Sequence, residues 1–203
     1  TAVDLAFEAG TKLLKDISFK EEIDLIILVT QSPDYILPTS ACILQDKLGL
    51  SKKCMAFDIN LGCSGFVYAM SVAGSLIDSG VAKKGLILCS ETYSKYIHKN
   101  DRTCRPLFSD GASATLLVSS DSNHVGPFVF GTDGSGAMSL KLLNNEIYMD
   151  GAKIAIFTLS RIPTFIKNFL KKNKINNKKL KLLALHQASK YVCDKIKAKL
   201  NLP

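Results

Sequence analysis

Helical and strand-like hydrophobic periods alternate along this 203-residue chain almost from its first residue. That alternation admits few architectures, chiefly parallel strands covered by the helices that connect them. Residues 2–14 carry an amphipathic helical pattern, with Leu5, Ala9, Lys12 and Leu13 marking its faces. Residues 23–30 form a continuous apolar run, as expected of a strand covered on both sides. A turn through Pro33 follows, then a helix over residues 39–48 stopped by Gly49. Residues 55–60 read as a second strand and residues 85–90 as a third, with an apolar helix between them that starts near Ser64 and ends at Gly80. That helix is apolar nearly all round, which predicts central burial. Further on, the pattern predicts strands over 112–119, 125–131 and 180–185, a Gly-rich loop over 131–136, a helix over 150–172 kinked or split at Pro163, and a helix over 189–200.

Composition bounds what surrounds these elements. The chain is 47% hydrophobic and 22% charged, enough to bury a substantial core. Its longest apolar stretches fall well short of the roughly 20 residues that cross a bilayer, and no basic, apolar leader opens it, so a soluble, cytoplasmic protein without membrane association is expected. The six cysteines, at 42, 54, 63, 89, 104 and 193, include no Cys-x-x-Cys pair, and neither a disulfide frame nor a metal site is expected. The net charge of +8 is unevenly spread. Residues 151–203 hold twelve Lys and one Arg against one acid, a net of +12, while the first 150 residues carry −4. Such a face suits an acidic partner or coenzyme phosphates, or is simply solvated. Nucleic acid is disfavoured, since there are only 3 Arg beside 23 Lys and no nucleic-acid-binding motif accompanies the charge.

Helix, strand and helix recur in one order around residues 25–30 and 181–186, and the helices that follow close alike, at Leu48-Gly49-Leu50 and Leu200-Asn201-Leu202. The chain therefore reads as a duplicated architecture: one half over 1–122, lacking its first strand, and the start of a second over 123–203, the whole incomplete at both termini.

The chemistry centres on Cys63. It lies behind Gly62 in a tight turn between the strand 55–60 and the helix opening Ser64-Gly65-Phe66. A thiolate attacks and a thiol does not, and an ordinary cysteine at a pKa near 8.5 is only a few per cent ionised at neutral pH. Free amides at a helix start favour the anion by roughly 0.3 to 1 kcal/mol, up to ~2 when partly buried, about one pKa unit, so a base must supply more. His98 and His124 sit in polar stretches and read as solvated. His186 directly follows the apolar run 180–185, which would place it at the carboxyl edge of a sheet, where open α/β sheets put their ligands. Cysteine and histidine form a nucleophile and base pair if the two halves bring those strand ends together.

The run Ala56-Phe57-Asp58-Ile59-Asn60-Leu61-Gly62-Cys63-Ser64-Gly65-Phe66-Val67-Tyr68-Ala69 resembles the active-site segment of β-ketoacyl-acyl-carrier-protein synthase III, a condensing enzyme of the thiolase fold. Leu37-Pro38-Thr39-Ser40-Ala41, Asp101-Arg102-Thr103, Phe108-Ser109-Asp110-Gly111-Ala112, Met149-Asp150-Gly151 and His186-Gln187-Ala188 resemble further segments of that family, in unbroken order. The resemblance implies an α/β, thiolase-like duplicated fold layered α-β-α-β-α with mainly parallel sheets. It implies a ping-pong acyltransferase in which Cys63 takes an acyl group from acyl-CoA, and malonyl on an acidic acyl carrier protein loses carbon dioxide and attacks the acyl-cysteine, the initiating step of fatty acid biosynthesis. His186 would stabilise charge on the malonyl thioester oxygen, and the Cys63 amide would form part of an oxyanion hole. Gly151 and Ser189 fall at positions that contact the coenzyme. No cofactor is implied beyond coenzyme A thioester as substrate, and the family pairs as a homodimer.

The chain also departs from that pattern. The family's second catalytic residue, an Asn in a His-Gly-Asn-Thr segment, would fall beyond Pro203, so the polypeptide as written is expected to be inactive alone. Leu37 replaces a Phe that in the family crosses the dimer, Ser189 replaces Asn, Ala155 stands where a Phe commonly lines the pantetheine tunnel, and the stretch 136–145 is short. Two other readings remain open: a condensing enzyme for a different starter in specialised lipid, polyketide or glycan synthesis, and a non-catalytic paralogue that only docks a carrier protein. A cysteine hydrolase is disfavoured, because Gly62-Cys63-Ser64-Gly65 lacks the Gly-x-Ser-x-Gly spacing.

Overall fold

The computed structural model of the chain describes residues 1–121, 125–176 and 180–201. It comprises two compact units, residues 1–93 with 109–126, and residues 94–108 with 127 onward. His124 and the boundary expected at Asn123 lie outside the described residues.

The first unit is built on a four-stranded sheet ordered β2-β1-β3-β4. Its strands are β1 (Leu25–Val29), β2 (Met55–Ile59), β3 (Lys84–Glu91) and β4 (Gly111–Val118). β1 pairs in parallel with both β2 and β3, while β4 runs antiparallel to β3 at the edge. The helices α1 (Ala2–Leu14), α2 (Ser40–Lys47) and α3 (Gly65–Asp78) supply the covering layers.

Alternation along β1 shows why its sequence is apolar throughout. Ile26 and Leu28 join Val3, Ala6, Leu44, Leu48, Leu86 and Leu88 in one buried cluster. Leu25, Ile27 and Val29 join Ala69, Ala73 and Ile87 in another. Successive side chains of a strand point to opposite faces, so a strand with a core on each side must be apolar at every position. α3 lies close to the sheet through its small residues Gly65, Ala69 and Ala73, all buried. A Cβ on Gly65 would fall 2.3 Å from Val29 Cγ1, a distance no real contact tolerates.

α3 is not enclosed all round as its composition predicts. Phe66, Val67 and Val72 are exposed, because only the small-residue face meets the sheet. Both α2 and α3 end in Schellman turns, with Gly49 at φ +63° and Gly80 at φ +75°. In each, the glycine amide and that of the following residue donate to carbonyls of the last helical turn. The start of α2 is capped from outside: Thr39 makes no side-chain cap, and the Asp58 carboxylate on β2 accepts from the amides of Ser40 and Ala41, each at 2.8 Å. This ties a strand to the positive end of a helix.

The second unit contains a hairpin, β5 (Leu140–Leu143) and β6 (Glu146–Met149), and the helices α4 (Gly151–Lys172) and α5 (Lys190–Leu200). The hairpin is absent from the sequence reading. Its turn residues Asn144 and Asn145 have φ of 49° and 64°, the left-handed pair that a two-residue type I′ turn requires. Pro163 neither splits nor ends α4, which runs unbroken with Pro163 buried inside it. A proline leaves the carbonyl four residues earlier without its helical donor. That carbonyl belongs to Leu159, and the Lys199 ammonium of α5 donates to it at 2.7 Å. A charge-assisted hydrogen bond between helices thus replaces the missing backbone bond.

Residues 125–131 and 180–185 do not form the expected strands. A strand exists only through pairing, and among the described residues none runs beside either segment. The loop expected over 131–136 passes into a 3-10 helix over Gly134–Ser139.

Candidate active site

Cys63 sits in the first unit, where β2 gives way to α3. After Ile59 the chain turns tightly: the Leu61 amide donates to the Ile59 carbonyl at 3.0 Å and the Gly65 amide to the Gly62 carbonyl at 2.8 Å, which starts the helix. Gly62 stands where the Gln31 and Tyr93 side chains converge. A Cβ there would lie 2.5 Å from Gln31 Oε1 and 3.2 Å from the Tyr93 hydroxyl. Those two side chains are themselves bonded, Tyr93 donating to Gln31 Oε1 at 2.7 Å.

Beneath this pair lies a carboxylate. Glu91, the last residue of β3, accepts from the Gln31 amide at 2.8 Å, from the Ser32 hydroxyl at 2.6 Å and from the Thr30 hydroxyl at 3.4 Å. Ser32 Oγ in turn accepts from the Thr92 amide at 2.8 Å. Thr30, Ser32 and Thr92 are all buried, so Glu91 fastens the carboxyl ends of β1 and β3 together. These residues were missed as functional candidates. The available signal was an acid placed directly after the apolar strand 85–90.

The electrostatics at the sulfur differ from the sequence expectation. Cys63 is exposed as a residue, yet protein atoms around its sulfur displace enough water to push the thiol above its ordinary pKa. Its own backbone N–H pulls the value down, and the nearby Glu91 carboxylate pushes it up. The helix start helps the anion, but desolvation together with Glu91 outweighs it. Cys54, Cys89 and Cys104 are pushed up to about 11, in each case first by burial, and none of the three has a backbone N–H working in the opposite direction. All six cysteines are free thiols.

His186, Gly151 and Ser189 lie in the second unit. His186 is in an irregular segment rather than at a strand end, and its carbonyl accepts from Cys193 Sγ of α5 at 3.7 Å. Partial burial lowers its imidazole pKa, favouring the neutral ring. Ser189 caps α5, its hydroxyl oxygen accepting from the Val192 amide at 3.3 Å. Gly151 opens α4 behind the Asp150 cap. His98 is exposed, its Nδ1 accepting from the Asn100 amide at 3.2 Å.

The same unit has a recess of about 440 Å³ lined by Lys99, Asn100, Asp101, Arg102, Arg105 and Pro106. Its one carboxylate, Asp101, is occupied by the amides of Thr103 and Cys104 at 2.7 and 2.9 Å, which leaves the recess cationic. Among the described residues no group of His, Cys, Asp and Glu is placed to hold a metal ion, and no helix is long and apolar enough to cross a membrane.

Comparison with known proteins identifies the chain's relatives. Residues 57–134, which include the turn and Cys63, match the family described as "3-Oxoacyl-[acyl-carrier-protein (ACP)] synthase III". A beta-ketoacyl-acyl-carrier-protein synthase III of Clostridium perfringens is 38% identical over 98% of this chain and 67% of its own length. A crystal structure of a 3-oxoacyl-(acyl-carrier-protein) synthase III superposes with a TM-score of 0.94 at 38% identity, over the whole of this chain and 68% of that one. The corresponding synthase of Burkholderia xenovorans LB400 gives 0.94 at 33% identity, over 64% of its chain. The chain spans 63 to 67% of the length of the first curated relatives it matches. These matches make the fold thiolase-like and α/β, and the chain belongs to the 3-oxoacyl-acyl-carrier-protein synthase III family.

Proposed function

We propose that the protein is a condensing acyltransferase that carries its substrate as a thioester on Cys63. The observation that carries this reading is the Cys63 turn itself. Gly65 is dictated by its close approach to Val29, and the turn presents Cys63 at a helix start within the segment matched to the family.

In the first step the Cys63 thiolate attacks the carbonyl of an acyl-CoA. The carbon–sulfur bond to coenzyme A breaks, and the coenzyme leaves as a thiolate that takes up the proton Cys63 gave up. In the second, malonyl on an acyl carrier protein loses its carboxylate as carbon dioxide, and the electron pair of the broken bond attacks the acyl-cysteine carbonyl. The β-ketoacyl product departs and Cys63 is released as thiolate. The Cys63 amide would donate to the oxyanion formed at the acyl carbonyl. His186, kept neutral by partial burial, would donate to the malonyl thioester oxygen as charge develops there, and Gly151 and Ser189 would border the coenzyme arm. The reaction needs no cofactor other than its thioester substrates. The cationic recess around Arg102 and Arg105 suits coenzyme phosphates, and the Lys-rich residues 151–203 suit an acidic carrier.

Residues 1–122 read as one half of a duplicated fold and residues 123–203 as the start of the other half. Corresponding positions Gly49 and Asn201 both adopt left-handed backbone where their helices close. Homodimer assembly is supported by a run of apolar side chains, Tyr35, Ile36 and Leu37, standing in solvent, with Ile36 99% and Leu37 86% exposed.

Intact-mass measurement of the complete protein incubated with acetyl-CoA tests the central step. An acetyl adduct is expected, and Cys63→Ala abolishes it. Absence of an adduct with any acyl-CoA would leave a carrier-docking paralogue as the better reading.

A further inference from the structure

We propose that Cys193 is a positioning residue for His186, its thiol and its backbone N–H tying down both ends of the bend that carries the imidazole. This rests on the reading of His186 as donor to the malonyl thioester oxygen and adds the group that holds it in place. His186 stands in no strand: residues 182–187 are irregular, and the chain bends at Ala188 before α5 begins. Cys193, the fourth residue of α5, reaches back across that bend. Its Sγ donates to the His186 carbonyl at 3.7 Å, and its backbone N–H donates to the Ser189 carbonyl at 3.1 Å. The Ser189 hydroxyl oxygen accepts from the Val192 amide at 3.3 Å and closes the corner. A backbone held at both ends leaves the side chain it carries only a few staggered rotamers.

The anchor is itself seated. Cys193 lies three and seven residues before Ile196 and Leu200, on the same face of α5, and both of those are buried. Near its other end α5 is fastened to α4 by the Lys199 ammonium on the Leu159 carbonyl. The Cys193 thiol is free, so its S–H is available to donate.

A thiol donor is weak, and its bond corresponds to roughly two- to fivefold in an equilibrium. The kinetic consequence is larger, since a positioning group displaced by about 1 Å can slow a reaction about a hundredfold. That consequence falls on one half of the reaction. His186 serves the malonyl group, whereas acetyl transfer from coenzyme A to Cys63 does not call on it. A cysteine that merely filled space on the α5 face would, on removal, lower both steps together.

The test measures two rates in the complete protein: acetylation of Cys63 by acetyl-CoA, read by intact mass, and carbon dioxide release from malonyl-acyl carrier protein by the acetylated enzyme. They are compared in Cys193→Ala, Cys193→Val, Cys193→Ser and His186→Ala, with folding checked by circular dichroism. Cys193→Ala, or Cys193→Val should the alanine variant not fold, is expected to slow carbon dioxide release at least fivefold while acetylation stays within twofold. Cys193→Ser, which keeps an O–H donor, is expected to bring release back to within threefold of the unsubstituted protein. Release within twofold of the unsubstituted rate in Cys193→Ala, equal losses in both rates, a serine variant as slow as alanine, or failure of both the alanine and valine variants to fold would overturn the positioning role. In each of those cases, loss of release in His186→Ala leaves the reading of His186 standing. Unchanged release in His186→Ala, or none from the unsubstituted protein, would overturn both.

Discussion

Glu91 adds to the desolvation that disfavours the Cys63 thiolate, and it also sets the geometry beneath the turn. It satisfies three donors from the end of β1 and also lies close enough to Cys63 to oppose its ionisation. The sign follows directly: a negative neighbour raises a thiol's pKa, so removing the charge lowers it. Glu91→Gln keeps a carbonyl oxygen for the Gln31 amide and removes the charge. Measured as the pH dependence of iodoacetamide alkylation of Cys63, the midpoint of Glu91→Gln should fall below that of the unsubstituted protein. An unchanged or higher midpoint would show that Glu91 acts only as a strand fastener. Cys63 was visible in the linear sequence because glycines crowd a cysteine at a strand-to-helix junction. Glu91, Gln31 and Tyr93 were not, because Gln31 lies about sixty residues from both partners and meets them only through the parallel pairing of β1 with β3.

Among the elements, α4 and α5 depend on one another at Pro163. The carbonyl of Leu159 loses its helical donor to the proline and gains the Lys199 ammonium. Lys199→Met should lower stability by about 1 kcal/mol, below the roughly 1.5 to 3 kcal/mol of a hydrogen bond to a charged group because this one is exposed. In a Pro163→Ala background the helix supplies its own donor, so the same Lys199→Met change should cost measurably less. Thermal unfolding of the four proteins reads this coupling, and equal costs in both backgrounds would refute it. The element pattern was most legible where local and tertiary demands agree. α1 and α3 follow their helical patterns closely, and β1, covered on both faces, is apolar along its whole length. Residues 125–131 and 180–185 have strand composition without strand structure, since composition cannot provide a pairing partner. The β5–β6 hairpin was overlooked for the converse reason. Its four-residue strands are too short for a clear period, and only the Asn144-Asn145 pair marked the turn.

At the scale of the whole molecule, the dominant feature is an imbalance of charge, net +12 over residues 151–203 and −4 over the first 150. Opposite charges attract over a screening length of about 8 Å at physiological ionic strength, shortening to about 3 Å at 1 M. Affinity of the complete protein for an acidic acyl carrier protein should therefore fall as salt is raised from roughly 0.05 to 0.5 M. Calorimetric titration at the two ionic strengths checks this, and equal affinities would remove the basic residues from the docking surface. By itself the linear sequence determined the alternating α/β class and the family and singled out Cys63 as a candidate nucleophile, because hydrophobic period and a contiguous motif are local properties that survive without coordinates. Only the tertiary structure decided which apolar runs become strands, which donor answers the proline in α4, and which polar side chains stand against the thiol's turn, because each depends on groups distant in sequence being brought within hydrogen-bonding distance.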